Sequence, residues 1–513
     1  MAPDDSDDTH IGPGPGPGPA SDLEKSAADS TSAPAHAPPY TVYTLWQKRL
    51  IVLGCSIAAF FSPMTQQIYY PALPTLASTF HVTDSQINLT VSTYMIFQGL
   101  TPMFLGNLSD SMGRRPTYMV CFTVYIAANI GLALAPNYAS LLVLRCLQAA
   151  GGSSTISLAF AVVADVVTSA ERGAFIGFTA LPIVLAPAIG PVIGGVLAQY
   201  LGWRAIFWYL VIFSGVVMVA LFLVFPETCR KITGDGSITP PRLNRTGYAL
   251  IKDALGKSST TAVAAAAPPP RAKLTLPNPL PSIMILTEKE LGLLLFNSAV
   301  VYSGFYTIST ALPSQFRKIY GLNDVQTGLM FLPMAAGSTV TAAIVGPLMN
   351  WNYRRHCAAL HIPYDRLRQQ NLAGFPIERA RLEVGLPLMA LAALTIIAWG
   401  WVVHVQAPLA VPCVLMFVLG VGLVGYNNTS NALVVDVNQS RAGAASASNN
   451  LTRCLFGAGA SAAILPLIEA IGIQWAFTII GSLYFVASPM LFAVMKHGVR
   501  WRAEIAEKKL AGK

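Results

Sequence analysis

The stretch GNLSDSMGRRP, Gly106 to Pro116, sets an aspartate, two arginines and two glycines between two long apolar segments. Only 11% of the 513 residues are charged, while 53% are apolar and the mean hydropathy is positive. A soluble protein carries about 25% charged residues, so a chain this poor in charge needs a solvent other than water. Outward from the quoted stretch, apolar runs of about 20 residues recur, the length that crosses a hydrocarbon core about 30 Å thick. Twelve can be counted, from about 50–71 to about 474–495. Uninterrupted runs of this length mean helices rather than barrel strands. The chain reads as an all-α polytopic membrane protein, and the stretch is the turn between its second and third spans.

The net charge of +9 could point to nucleic acid or to anionic ligands, but its placement explains it otherwise. Arg145 and Arg453 fall inside spans, and Arg204, Arg317 and Lys318 fall in the loops after spans five and seven. The remaining Lys and Arg lie in the tails, in the loops after even-numbered spans, or at the span edges beside them. By the positive-inside rule this puts both termini and the even loops in the cytoplasm. The basicity is topogenic, and no nucleic-acid partner is expected. Of the seven cysteines, Cys55, Cys121, Cys146, Cys413 and Cys454 lie within spans and Cys229 and Cys357 in cytoplasmic loops. None is placed for an external disulfide and no spacing suggests a metal site. The histidines do not cluster, and there is no Walker lysine. Neither an enzyme nor an ATP-driven pump is expected, and no cofactor.

Residues 1–47 hold a PGPGPGPGP tract with Ser, Ala and Asp. Such a composition cannot bury a core and is expected to be a disordered cytoplasmic tail. It lacks the basic and apolar regions of a cleavable signal, so the first span is expected to direct insertion. Residues 48–225 form a first six-helix bundle, 226–287 a flexible cytoplasmic linker with the low-complexity stretch AVAAAAPPPR, and 288–495 a second six-helix bundle. A short cytoplasmic tail, 496–513, follows. Internal repetition supports the division. Gly106, Asp110, Gly113, Arg114 and Arg115 align with Gly346, Asn350, Tyr353, Arg354 and Arg355, so the second copy keeps the arginines and loses the carboxylate.

Within the opening stretch, Gly106 permits close helix contact and Gly113 a turn conformation closed to other residues. Asp110 can face a helix N-terminus or an arginine, and Asp165, at the cytoplasmic end of span four, is a partner for Arg114. Span five carries APAIGPVIGG, in which Gly190, Gly194 and Gly195 bare one helix face for close packing and Pro191 invites a bend. In span four, Arg145, Gln148 and Gly152 share one face. An arginine facing lipid is expensive, so Arg145 should face the interior or an aqueous cavity, unless it snorkels to the outer interface. In span eleven, Arg453 lies roughly 18 Å from the inner edge, near mid-membrane, with Asn449 or Asn450 preceding it at helical spacing. Tyr426 and Asn427 in span ten, Gln66 with Tyr69 and Tyr70 at the end of span one, and Asn297, Tyr302 and Tyr306 in span seven add polar groups. Tyrosines at helix ends can equally be interfacial belt residues.

The turn Gly106, Leu108, Asp110, Gly113, Arg114, Arg115 resembles the signature loop of the major facilitator superfamily, G-x-L-x-D-x-x-G-R-R. The resemblance implies two pseudo-symmetric six-helix bundles that move by alternating access, with this loop as a cytoplasmic latch. APAIGPVIGG is similar to the antiporter motif of the twelve-span drug:proton antiporters, with Ala186 in place of its first glycine, and implies export. Arg145, Gln148 and Gly152 resemble an R-x-x-Q-x-x-G motif implicated there in proton coupling. The LTEKELG approach to span seven, NWNYRRH, RLRQQNLAGFPIERARLE and SNNLTRC are similar to the fungal quinidine-resistance subgroup, whose cargoes range over drugs, polyamines, amino acids and organic acids.

For the cargo, the intramembrane charges speak. Arg145 and Arg453 have no Asp or Glu near mid-span for company. A cation pocket would hold a buried carboxylate, whereas arginines match carboxylate and phosphate oxygens. A small organic anion is therefore expected: a mono- or dicarboxylate or an acidic secondary metabolite. Arg145, Gln148, Arg453, Asn449, Asn450, Tyr426, Asn427, Gln66 and Tyr302 are the expected substrate contacts. Two alternatives stand: a multidrug:proton antiporter, or a sensor that keeps the fold without transport. The driving force would be the proton gradient or the membrane potential, the expected partners a small solute and the bilayer, the location the plasma membrane, and the state a monomer.

Overall fold

The computed structural model describes residues 41–168, 171–254, 280–361, 375–438 and 442–511. The Pro-Gly tail, the AVAAAAPPPR stretch and most of RLRQQNLAG lie outside the described residues. Twelve long helical elements follow one another: α1 (Leu45–Phe80), α2 (Asp84–Met112), α3 (Arg114–Ala133), α4 (Tyr138–Val166), α5 (Arg172–Leu201), α6 (Arg204–Val224), α7 (Lys289–Tyr320), α8 (Asp324–Ala359), α9 (Ile377–His404), α10 (Ala410–Val437), α11 (Ala442–Ile471) and α12 (Ile473–Ala511). No strand occurs among the described residues. Eleven are long and apolar enough to cross a membrane. The twelfth, α2, is polar because it faces protein, burying Asn88, Thr90, Ser92 and Gln98 inside the bundle. Helix starts follow capping chemistry: Thr44 and Gln47, Thr83 and Gln86, and Asn323 and Gln326 each form a reciprocal capping box.

Packing repeats with the sequence. In the first half α1 packs on α4 and α5, α4 on α2 and α3, and α3 on α6. Adding six to each number gives the neighbours in the second half: α7 on α10 and α11, α10 on α8 and α9, and α9 on α12. The halves meet through α2 against α11 and α5 against α8, two pairs that exchange under the same relation.

Three differences from the sequence reading concern the basic end of the molecule, where the termini and the even-numbered loops lie. The expected flexible linker is folded over its first part: Arg230–Thr233 and Gly247–Ala254 are helical, and Glu227, Thr233 and Asn244 are buried. Composition missed this because the ordering comes from long-range contacts to the α2–α3 turn. The expected short tail, 496–513, continues α12 as helix to Ala511. And α8 does not turn where α2 does. Gly113 adopts φ +106° and breaks the chain between α2 and α3, whereas its counterpart Tyr353 stays helical and α8 continues to Ala359.

Candidate functional site

At the basic end, Gly113 sits under a carboxylate that sequence reasoning passed over. Glu227 is buried and accepts from the backbone N–H of Arg114 (2.8 Å), Arg115 (3.3 Å), Thr228 (3.0 Å) and Cys229 (2.9 Å), and from Asn244 Nδ2 (2.7 Å). It caps the start of α3, whose first N–H groups lack helical partners. A Cβ on Gly113 would lie 2.3 Å from both Glu227 and Asn244, so the turn requires glycine on two counts. Arg114 donates to Asp165 (2.9 Å) and to Asp110 (2.6 Å), and Asp110 also meets Lys231 (3.2 Å). Of the two partners open to Asp110 in the sequence, it takes the arginine. Arg115 is buried against the Phe222 and Leu243 carbonyls. Gly106 differs from expectation: it is exposed, and a Cβ there would meet nothing within 4 Å. The close contacts between α2 and α11 sit further along, at Gly99, whose Cβ would lie 2.9 Å from Cys454. Burial pushes the Cys229 thiol up, as befits a packing thiol.

At the far end the span-five glycines bring α5 into close contact with α1 and α8. A Cβ on Gly190 would lie 2.9 Å from Gln67, one on Gly194 2.0 Å from the Ile68 carbonyl, and one on Gly195 2.4 Å from the Asp324 carbonyl of the other half. Gly328 of α8 approaches the Pro191 carbonyl in the same way, at 2.3 Å. Thr75 donates to Asp324 (2.8 Å), Lys318 pairs with Asp84 (3.1 Å), and Tyr70 stacks on Phe331 across the halves. An open cleft of about 550 Å³ beside these contacts is lined by Thr75, Gln199, Arg317, Asn323 and Asp324. It lies away from both intramembrane arginines.

Those arginines occupy different settings. Arg145 is 1% exposed, with its guanidinium over the rings of Tyr69 (4.0 Å) and Tyr94 (4.3 Å). Desolvated cation–π contacts are worth about 2 kcal/mol each, which offsets part of the burial cost. Its Nη1 donates to Gln148 (2.6 Å), which donates to Asn129 (2.7 Å), while Nε and Nη2 have no hydrogen-bond partner. It does not snorkel, and Tyr69 and Tyr70 are buried rather than belt residues. Gln66 donates to Tyr70. Arg453 is only half-buried. It donates to Asn450 (3.0 Å) and lies 4.7 Å from the centre of the Tyr302 ring, with Nε unpartnered. Asn450 in turn donates to the Gln98 carbonyl of α2 (3.3 Å). Helix α2 thus touches both arginine clusters, through Tyr94 and one turn later through Gln98.

Two expected contacts lie elsewhere. Tyr426 is buried inside the second half and donates to Asn297, which donates to the Ala487 carbonyl, tying α10 to α7 and α12. Asn449 donates to Asn431 and links α11 to α10. Both point into the helix packing because a polar side chain in a bundle finds another helix as readily as a cavity. Asn427 is half-buried, and its Oδ1 has no partner. Sequence reasoning also missed Tyr94 and Asn129, whose roles need the fold to bring α2 and α3 against α4. Among the described residues no group of His, Cys, Asp and Glu is placed to hold a metal ion.

Residues 55–462 match the Major Facilitator Superfamily profile. The chain belongs to that superfamily. It is therefore a multi-pass membrane protein and a secondary transporter of small molecules, not an enzyme. Among its relatives is MFS-type transporter phiD of a fungal species (strain ATCC 74256), 44% identical over 96% of this chain and 76% of that one. Citrate exporter 1 of Aspergillus niger is 34% identical over 93% of this chain and 90% of its own. Of solved structures, a bacterial homologue of the human lysosomal transporter Spinster, inward-facing and unoccupied, superposes with a TM-score of 0.62 at 14% identity, over 91% of this chain and 99% of that one. Within the superfamily's two-bundle frame, the close contact between α5 and α8 and the charged α2–α3 turn stand at opposite ends of the molecule, with the arginines between them.

Proposed function

We propose that this transporter exports a small organic anion, a carboxylate or an acidic secondary metabolite, by alternating access. One observation carries the reading: Arg453 is partly buried at mid-span, held by Asn450 and Tyr302 with Nε unpartnered, and among the described residues has no carboxylate partner. A guanidinium left with free donors in a low-dielectric interior favours an anionic ligand over a cationic one. Arg145 supports the same sign from behind the Tyr69 and Tyr94 rings, and is a positioning group rather than a direct contact. The citrate exporter relative is in keeping with both. Gln148, Asn427, Gln66 and Tyr302 complete the proposed surroundings.

In this reading the basic end is cytoplasmic, the membrane is the plasma membrane, and the protein acts as a monomer near the quinidine-resistance-like subgroup. Proton antiport is the proposed coupling. A negative-inside potential also favours anion exit by about 2.3 kcal/mol per charge per 100 mV. The test is uptake of radiolabelled citrate and a panel of mono- and dicarboxylates into inside-out vesicles. Arg453→Ala is expected to abolish uptake of the transported acid and Arg453→Lys to retain part of it, because lysine keeps the charge without the two-pronged geometry. Carboxylate uptake undiminished in Arg453→Ala would refute the assignment.

A further inference from the structure

At the basic end of the second half, Glu290 is 1% exposed and neither of its carboxylate oxygens has a hydrogen-bond partner. It sits at the start of α7, within reach of Glu378 at the start of α9, itself 1% exposed. Glu378 is held from α12: Arg502 Nε lies 2.6 Å from Oε1, and Arg502 Nη2 donates to Oε2 (3.2 Å) and to the Phe375 carbonyl (2.7 Å). Gly498 makes this approach possible, since a Cβ there would lie 2.6 Å from Glu378 Cγ. Other charged groups nearby, among the described residues, are Glu288, Lys289, Arg379 and His497. Glu288 precedes Glu290 on the same segment and adds negative charge. Lys289 lines a neighbouring cleft, Arg379 donates to the Met495 carbonyl, and the His497 ring lies tilted against Trp501, 5.8 Å between centroids.

Two buried carboxylates against one guanidinium do not balance. Ionised, Glu290 would be a buried charge with no donor, which costs several kcal/mol. A single proton resolves this. It neutralises one carboxyl, turns the Glu290–Glu378 approach from repulsion into an O–H to O⁻ hydrogen bond, and leaves one negative charge for Arg502. We propose that Glu290 and Glu378 bind one proton between them, and that this proton docks the extended end of α12 beneath α7 and α9. The site lies outside the arginine clusters and holds whatever the cargo. A separate cleft of about 340 Å³ nearby is bordered by Glu288, Lys289, Gly292 and Trp501.

The sign of the pH effect follows. Above the ordinary carboxylate range the folded chain binds one proton more than the unfolded chain, so stability falls as pH rises until the pair loses its proton. The experiment is infrared spectroscopy and thermal unfolding of the purified full chain from about pH 5 to about pH 9, comparing wild type, Glu290→Gln and Glu378→Gln. The wild type is expected to show a protonated-carboxyl carbonyl band at neutral pH that bleaches as pH rises. Glu290→Gln keeps the hydrogen-bonding shape without the titration. It is expected to lack the band and to remove from the pH profile a slope of up to about tenfold per pH unit in the unfolding constant. Glu378→Gln leaves Glu290 alone beside Arg502 and should also lose the band. No protonated-carboxyl band in the wild type, or a band that persists in both variants, overturns the proposal. If neither variant folds, the wild-type titration decides alone.

Discussion

Asp110, Arg145 and Arg453 were legible as residues out of place, because charge in an apolar chain must find a partner: Asp110 is paired with arginine and lysine, Arg145 is caged by two tyrosine rings, and Arg453 has Asn450 and the Tyr302 ring but keeps Nε unpartnered. Asp110 is partly exposed and shared between Arg114 and Lys231, so its pairing contributes about 1 kcal/mol or less to stability. Asp110→Asn is accordingly expected to leave the thermal midpoint nearly unchanged. If the latch sets the balance between the two facing states, a bias of about 1 kcal/mol is worth roughly fivefold in transport rate. Initial rates beside melting curves separate the two effects, and equal rates would deny the latch a role in the cycle. Tyr426 and Asn449 illustrate the limit of the residue scale. Helical spacing put Asn449 near Arg453 and polarity in an apolar span singled out Tyr426, but such signals say only that a side chain needs a partner, not which one. Which neighbour supplies it is a tertiary fact, and here it is α7 for Tyr426 and α10 for Asn449.

The turns of the repeat show what a single position controls at the scale of the element. Gly113 reaches φ +106° and ends α2; Tyr353 cannot share that conformation, and α8 runs on through the aligned arginines. The sequence alignment caught the lost carboxylate, while the lost glycine is what changes the shape. Glu227 escaped notice because it lies over a hundred residues along the chain from the Arg114 and Arg115 N–H groups that it caps. Glu227→Ala would leave four backbone donors and the Asn244 amide without their acceptor. It is expected to cost about 3 kcal/mol or more and to lower the melting temperature well beyond the change in Asp110→Asn. A melting temperature within error of wild type would show that water replaces the carboxylate.

For the whole molecule, twelve spans, two halves and the asymmetry of charge could all be read from hydropathy, because the bilayer fixes helix length and composition. The direction of closure could not. It depends on contacts such as Gly195 with Asp324 and Gly328 with Pro191, between groups far apart in sequence. Gly328→Val places side-chain atoms where the Pro191 carbonyl lies and is expected to open the far end. Spin labels at Leu134 and Val405, both exposed in far-end loops of opposite halves, should then report longer distances; unchanged distances would mean that the far end is held elsewhere. The central claim concerns what passes between the two ends. It is tested most directly by transport in liposomes holding only the purified protein, with labelled carboxylates and labelled lipophilic cations offered to the same preparation. Saturable transport of an acid that depends on Arg453, with the cations left behind, is the predicted result; robust cation transport without any acid would contradict it.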